Sequence, residues 1–233
     1  MAQATHWAAV IFYNDTPELL DLCLGSMKRN GFKIICVDGA YVDFVKTNRI
    51  NGMSVDTYAS TEENQNVAKK HADVFIPCPE NGWETQIDKR NAALAAVPDG
   101  DFYWSLDADE EVIDNAGIQP ITMADVYRIM EYEDAKGTTR KFSAIRTYRK
   151  AHHLKYIYQH CRIYDSSLHV PGNLDSGLIV KAHWDKNALH PFIYDNKGAI
   201  ISIRHHRFLR PQERIKQKVR YYLDREEAKL SYA

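Results

Sequence analysis

The sequence predicts an α/β protein built on a mostly parallel sheet, with ligand chemistry at the carboxyl ends of its strands. Three observations carry this expectation. Short apolar runs alternate with helical periodicity up to about residue 118, and an acidic pair, Asp107 and Asp109, closes one of those runs. Beyond residue 119 the texture shifts toward β-branched and aromatic residues, the mark of a smaller mixed subdomain.

The elements follow in order. Residues 7–13 form an apolar run long enough for a buried strand, and Asn14-Asp15-Thr16-Pro17 then offers a helix start with Pro in the first turn. Leu19, Leu20, Leu22, Cys23 and Met27 recur at helical spacing until Asn30-Gly31. Residues 32–37 read as a second buried strand ending at Asp38-Gly39, completing a strand–helix–strand unit. A capped helix is expected over 60–72, a short strand over 74–77, and an amphipathic helix over 84–97 closed by Pro98-Asp99-Gly100. Residues 102–106 (FYWSL) are the next buried strand, running directly into Asp107-Ala108-Asp109.

In the second half one helix is expected over 123–136, strands over 138–164, a loop at Pro171-Gly172-Asn173, and a last strand over 199–204. Residues 211–230 read as a charged helix. These divisions give a ligand-binding α/β half over 1–118, an acceptor half over 119–210 and a C-terminal helix over 211–233, packed as one unit because no flexible linker separates them.

Composition narrows the class. Of 233 residues, 45% are hydrophobic and 26% charged, an ordinary globular profile that excludes disordered and collagen-like chains. The formal net charge of -1 gives no global pull toward nucleic acid or membranes. The four cysteines show no metal-ligand spacing, and Cys23 and Cys36 sit in apolar stretches, as buried thiols of a reducing compartment do. The N-terminal run has no basic leader and no stretch approaches the roughly 18 apolar residues needed to cross a bilayer, so a cytoplasmic location with no membrane span is the expectation.

The chemistry centres on Asp107 and Asp109. Two carboxylates one residue apart at a strand end can both approach a hard divalent cation, which prefers oxygen ligands and bridges carboxylates to phosphate oxygens. Taken alone, such a pair is equally a solvated acidic turn, which is common after strands. Context supplies the rest, through five segments in order: Val10-Ile11-Phe12-Tyr13-Asn14, Cys36-Val37-Asp38-Gly39, Lys89-Arg90-Asn91-Ala92-Ala93-Leu94, Leu106-Asp107-Ala108-Asp109-Glu110 and Ile203-Arg204-His205-His206-Arg207.

On these segments the chain resembles GT-A glycosyltransferases, most closely family 2, and the similarity is tightest up to about residue 113. The resemblance implies a Rossmann-like nucleotide-diphospho-sugar transferase fold. It also implies a Mn2+ or Mg2+ ion held by Asp109 with Asp107 and a late histidine, and transfer of a sugar from a nucleoside-diphosphate sugar, UDP favoured, to an acceptor hydroxyl. Tyr13 and the neighbouring Asn14 would meet the donor base, and Asp38 would hydrogen-bond the base or ribose. Lys89, Arg90 and Arg207 would contact the diphosphate. Only one of His205 and His206 can face the metal from an alternating strand, and His205 is preferred. An inverting reaction needs a carboxylate base. Relatives carry a His-Glu pair where this chain has Pro171-Gly172-Asn173-Leu174-Asp175, which makes Asp175 the candidate and Asp185 the reserve.

Packing alternatives stay open for Tyr13, for one of Lys89 and Arg90, and for either Asp of the acceptor half. Two other functions share these features: a sugar nucleotidyltransferase, and an inactive GT-A-like module that binds glycan or nucleotide. The first normally opens with a glycine-rich loop after strand one, where this chain has none. One further feature concerns the acceptor. Residues 138–164 carry Arg140, Lys141, Arg146, Arg149, Lys150, Lys155 and Arg162 with Phe142, Tyr148, Tyr156 and Tyr158, and no Asp or Glu. Such a segment suits an anionic acceptor, including a nucleic acid with a hydroxylated base, and equally a solvated basic face.

Overall fold

The computed structural model describes residues 4–53, 55, 57–114, 127–133, 139–145, 147–150, 152, 154–158, 162–165, 201–206 and 209–230. Their organisation is α/β. A five-stranded sheet runs in the order β3-β2-β1-β4-β8. Its strands are β1 (His6–Ile11), β2 (Lys33–Val37), β3 (Val74–Ile76), β4 (Phe102–Asp107) and the edge strand β8 (Thr147–Arg149). The first four are mutually parallel and β8 is antiparallel to β4. This arrangement is compatible with a Rossmann-like fold.

The alternation of β1 builds the layers. Ala8 and Val10 face one side, where Leu20, Leu24 and Met27 of α1 (Pro17–Arg29) and Ala68 of α3 (Glu62–His71) cover them. Trp7 and Ala9 face the other, against Ala93 and Leu94 of α4 (Gln86–Ala95) and Tyr156 of β9 (Leu154–Tyr158). Leu20, Leu24 and Met27 are fully buried, each contributing about 2 kcal/mol of apolar transfer. Thr61 caps α3, and Thr85 and Asp88 form a reciprocal capping box at the start of α4.

The second sheet has the order β5-β11-β6-β7. It consists of β5 (Glu110–Asp114), β6 (Tyr127–Glu133), β7 (Thr139–Ile145) and β11 (Ile201–His205), while β9 pairs separately with β10 (Arg162–Asp165). β5 belongs to the first half in sequence yet pairs antiparallel with the late β11. The two halves are therefore stitched by a shared sheet. The C-terminal helix α5 (Gln212–Leu230) packs on α2 (Val42–Ile50). Among the described residues no helix is long and apolar enough to cross a membrane.

One expectation is corrected. The helix expected over 123–136 is, in its described part, the strand β6, paired with both β7 and β11. Tyr127, Ile129 and Met130 fit helical and strand spacing alike, and cross-strand partners on both sides decide for the sheet. The sequence also concealed α2 and β5.

Candidate functional site

Strand order locates the site. Chain progress runs outward from β1 to β2 and β3, then returns to place β4 on the opposite side of β1. The carboxyl ends of β1 and β4 thus flank the point where the sheet reverses direction, where open α/β sheets leave a crevice for ligands.

The loop after β1 is bent by Asn14, which has φ 44°, in the left-handed region that Asn tolerates better than most residues. Asn14 Oδ1 accepts from the Thr61 amide at 2.9 Å, and its own amide donates to Ser60 Oγ at 3.1 Å. This turn leaves Asp15 only 3% exposed at the end of β1. β4 ends at Asp107, level with Ile11. The Asp107 amide donates to Glu110 Oε2 at 2.8 Å, which closes the tight turn that carries Asp109.

Asp109 is 1% exposed. Its Oδ2 lies 3.0 Å from His205 Nε2 and 3.1 Å from Arg210 Nε, and the same Arg210 nitrogen lies 3.0 Å from Asp15 Oδ1. Burial alone would raise the Asp109 carboxyl, but the His205 contact and the Arg210 charge outweigh it and hold it below the usual range. The Asp109 carbonyl also accepts the His206 amide at 2.8 Å. His205 and His206 diverge as an alternating strand requires: His206 Nε2 meets Glu111 Oε2 at 2.8 Å instead.

Arg90 and Lys89, both buried, point differently. Arg90 Nη1 donates to Ser105 Oγ at 2.8 Å, and Nη2 lies 3.5 Å from Asp107 Oδ1. Lys89 Nζ donates to the backbone carbonyls of Phe12, at 2.7 Å, and of Gly39. It pins the ends of β1 and β2 together. Burial pushes its ammonium down to about 7, against the opposing pull of Asp38.

Asp38 is completely buried, and its carboxylate accepts from the Ser60 amide at 3.2 Å. Its carbonyl accepts Trp83 Nε1 at 2.6 Å. Tyr13 is buried too, its hydroxyl donating to the Thr57 carbonyl at 2.7 Å. Its ring meets Phe44 edge-on, and the Arg214 guanidinium lies 5.1 Å from its centroid. Arg214 Nε donates to the Tyr13 carbonyl at 3.1 Å, and Tyr221 packs on Phe44. The start of α5 therefore lies across the end of β1.

The structure thus gathers Arg90, Asp107, Asp109 and His205 from the sequence-derived set. It holds Lys89, Asp38, Tyr13 and Asn14 in contacts with the chain itself. Asp175, Asp185 and Arg207 lie outside the described residues, as do Arg146 and the whole loop that was to supply the base. Sequence reasoning missed Asp15 and Glu110, and it read Arg210 and Arg214 only within the basic set Arg207, Arg210, Arg214, Lys216, Lys218 and Arg220, part diphosphate contact and in larger part solvated helix. Asp15 had a usable signal, a carboxylate two residues past Tyr13 at the end of a buried strand, and Arg210 lay unresolved within a basic run.

The donor set suits a hard divalent cation in part. Asp109 Oδ1 has no hydrogen-bond partner among the described residues although the side chain is buried, and His205 is already beside it. Asp107 is engaged toward Arg90, and among the described residues no three His, Cys, Asp or Glu side chains converge as a metal cage. Comparison with models of known protein families and with curated proteins yields no match.

Proposed function

We propose that this chain is a metal-dependent glycosyltransferase of the GT-A type, similar to family 2, that moves a sugar from a nucleoside-diphosphate sugar to an acceptor hydroxyl. The observation that carries this reading is the position of Asp107 and Asp109 at the end of β4, beside β1 at the reversal of strand order, with Asp109 buried against His205. A Mn2+ or Mg2+ ion bound by Asp109 and His205, with Asp107 turning in, would supply positive charge to the diphosphate leaving group.

The chain's own residues have separable tasks in this proposal. Arg90 orients Asp107 from below and screens its charge. His205 brings the late strand β11 to the turn after β4, which fixes the second sheet relative to the first. Arg210 beside Asp109 and Arg214 at the end of β1 add positive charge that favours an anionic ligand. UDP is the favoured carrier, and inverting transfer with Asp175 or Asp185 as base completes the reading by resemblance alone. The basic 138–164 segment supports an anionic acceptor, for which a nucleic acid with a hydroxylated base is the specific suggestion.

A thermal-shift screen of UDP- and GDP-sugars, each with and without Mn2+, tests donor and metal together, because a ligand selective for the native state raises its melting temperature. The reading predicts a metal-dependent shift with at least one UDP-sugar and slow metal-dependent hydrolysis of UDP-glucose. No shift with any nucleotide sugar would refute it. A sugar nucleotidyltransferase is disfavoured by the loop Tyr13-Asn14-Asp15-Thr16-Pro17 after β1, which holds no glycine. A non-catalytic module would bind the same donor without turnover.

A further inference from the structure

We propose that Arg210 is a resident counter-ion that yields Asp109 to a divalent cation, so that metal binding loosens the entry to α5. The inference rests on the metal site of the reading above. Asp15 and Asp109 are 3% and 1% exposed, and two carboxylates so deeply buried need compensating charge. Arg210 supplies it through one nitrogen, Nε, at 3.0 Å from Asp15 Oδ1 and 3.1 Å from Asp109 Oδ2.

The manner of contact makes this cation exchangeable. A guanidinium bound for permanence presents two parallel N–H groups to one carboxylate. Here Arg210 Nε approaches both carboxylates without the alignment of a hydrogen bond to either. Charge holds it, not a fork. Asp109 Oδ1 meanwhile accepts no hydrogen bond from any described residue, leaving an acceptor oxygen beside His205 for a hard cation. A divalent ion brings twice the charge of the guanidinium to the same carboxylate and prefers oxygen. Of the two carboxylates Asp15 is then the one still facing Arg210, and the hold on the entry to α5 weakens.

The position of Arg210 couples this exchange to the backbone. It stands just ahead of α5, in a stretch fixed by the Leu209 amide donating to the His206 carbonyl at 3.0 Å and by Thr16 Oγ1 donating to the Leu209 carbonyl at 3.2 Å. Further along, Arg214 holds the Tyr13 carbonyl and Tyr221 holds Phe44, neither involving Asp109. Release of Arg210 is therefore felt between about residues 206 and 215, while the helix beyond keeps its anchors.

The test uses Mn2+ alone with the wild type, Arg210→Gln and Arg210→Lys, the last retaining the charge. Free Mn2+ is titrated by its paramagnetic resonance signal, and amide hydrogen exchange is followed across residues 206–225. Mn2+ is expected to speed exchange severalfold at Leu209 and Ile215 in the wild type and to leave Tyr221 unchanged. Arg210→Gln should exchange fast at those amides without metal and bind Mn2+ about tenfold more tightly, with Arg210→Lys close to wild type. Binding of equal strength in wild type and Arg210→Gln, with exchange unmoved by metal, would overturn the counter-ion role while leaving the metal site standing. An undiminished free Mn2+ signal with all three proteins would remove the metal site itself, and the exchange with it.

Discussion

Replacing Lys89 with Met separates a structural cation from a ligand-binding one. Lys89 is 1% exposed and its ammonium is lowered by burial from 10.5 to about 7. Below about pH 7 both folded and unfolded chains carry the proton. From there to about pH 10.5 the unfolded chain holds a proton that the folded one lacks, so this residue makes stability rise with pH, by about 1.4 kcal/mol per unit at most. In the Met variant that rise is lost. The Phe12 carbonyl still receives the Gly39 amide at 3.1 Å, whereas the Gly39 carbonyl loses the ammonium as donor. An orphaned buried carbonyl costs about 1–3 kcal/mol. Near pH 6 that cost is offset by no longer burying a charge, so the variant should lie close to wild type. Its deficit should then grow by about 2 kcal/mol between pH 7 and pH 9. Urea melts of both proteins across this range measure the difference directly, and other titrating groups cancel in it. A deficit that stays constant or shrinks as pH rises would refute the assignment of Lys89 as a buried pin between β1 and β2.

Other perturbations read the site from different sides. Asp109→Ala should abolish the Mn2+-dependent thermal shift and cut UDP-glucose hydrolysis by about a hundredfold or more, as measured by released UDP. Arg214→Ala removes the contact to the Tyr13 carbonyl and the cation between two rings, so a urea midpoint equivalent to about 1–3 kcal/mol of lost stability is expected, with faster exchange along the first half of α5. Tyr13→Phe keeps the ring but loses the hydroxyl bond to Thr57, costing about 1 kcal/mol of stability with UDP affinity retained. Thr85→Ala breaks the capping box of α4 and should cost about 1 kcal/mol in denaturant melts without moving the metal response.

The parallel sheet was legible because its evidence is local. Each of β1, β2 and β4 is an apolar run buried on both faces, and α1 and α4 carry their start and stop signals in adjacent residues. β6 was not legible, since its identity depends on partners at Thr139–Ile145 and Ile201–His205, far along the chain. The same division runs through the site. Asp107 and Asp109 announce themselves at a strand end, whereas strand alternation says only that one of His205 and His206 can face that turn, and the contact of His205 with Asp109 is seen in the structure alone. The ion pair between Arg210 and Asp15 joins residues far apart in the chain, and nothing in the basic residues from Arg207 to Arg220 marks which one turns inward. Lys89 illustrates the reverse case: its neighbourhood suggested a ligand contact, and the backbone carbonyls that claim it are invisible in sequence.

Two buried carboxylates, at the ends of the strands that flank β1, differ in how their charge is compensated. Asp38 at the end of β2 is sealed, with its carboxylate on the Ser60 amide and, below about pH 7, a counter-charge from Lys89, itself fixed to the sheet. Displacing Lys89 would remove the contact that joins the ends of β1 and β2. Asp109 at the end of β4 has the opposite arrangement. Its compensating charge arrives on Arg210, from a segment outside the parallel sheet, and one of its oxygens accepts no hydrogen bond from a described residue. A buried anion whose counter-ion is carried by a separable element can exchange that partner without unfolding the sheet. The proposed ligand exchange therefore belongs to the β1–β4 side of the reversal, and a ligand that altered Asp38 while leaving Asp109 and Arg210 in contact would refute it.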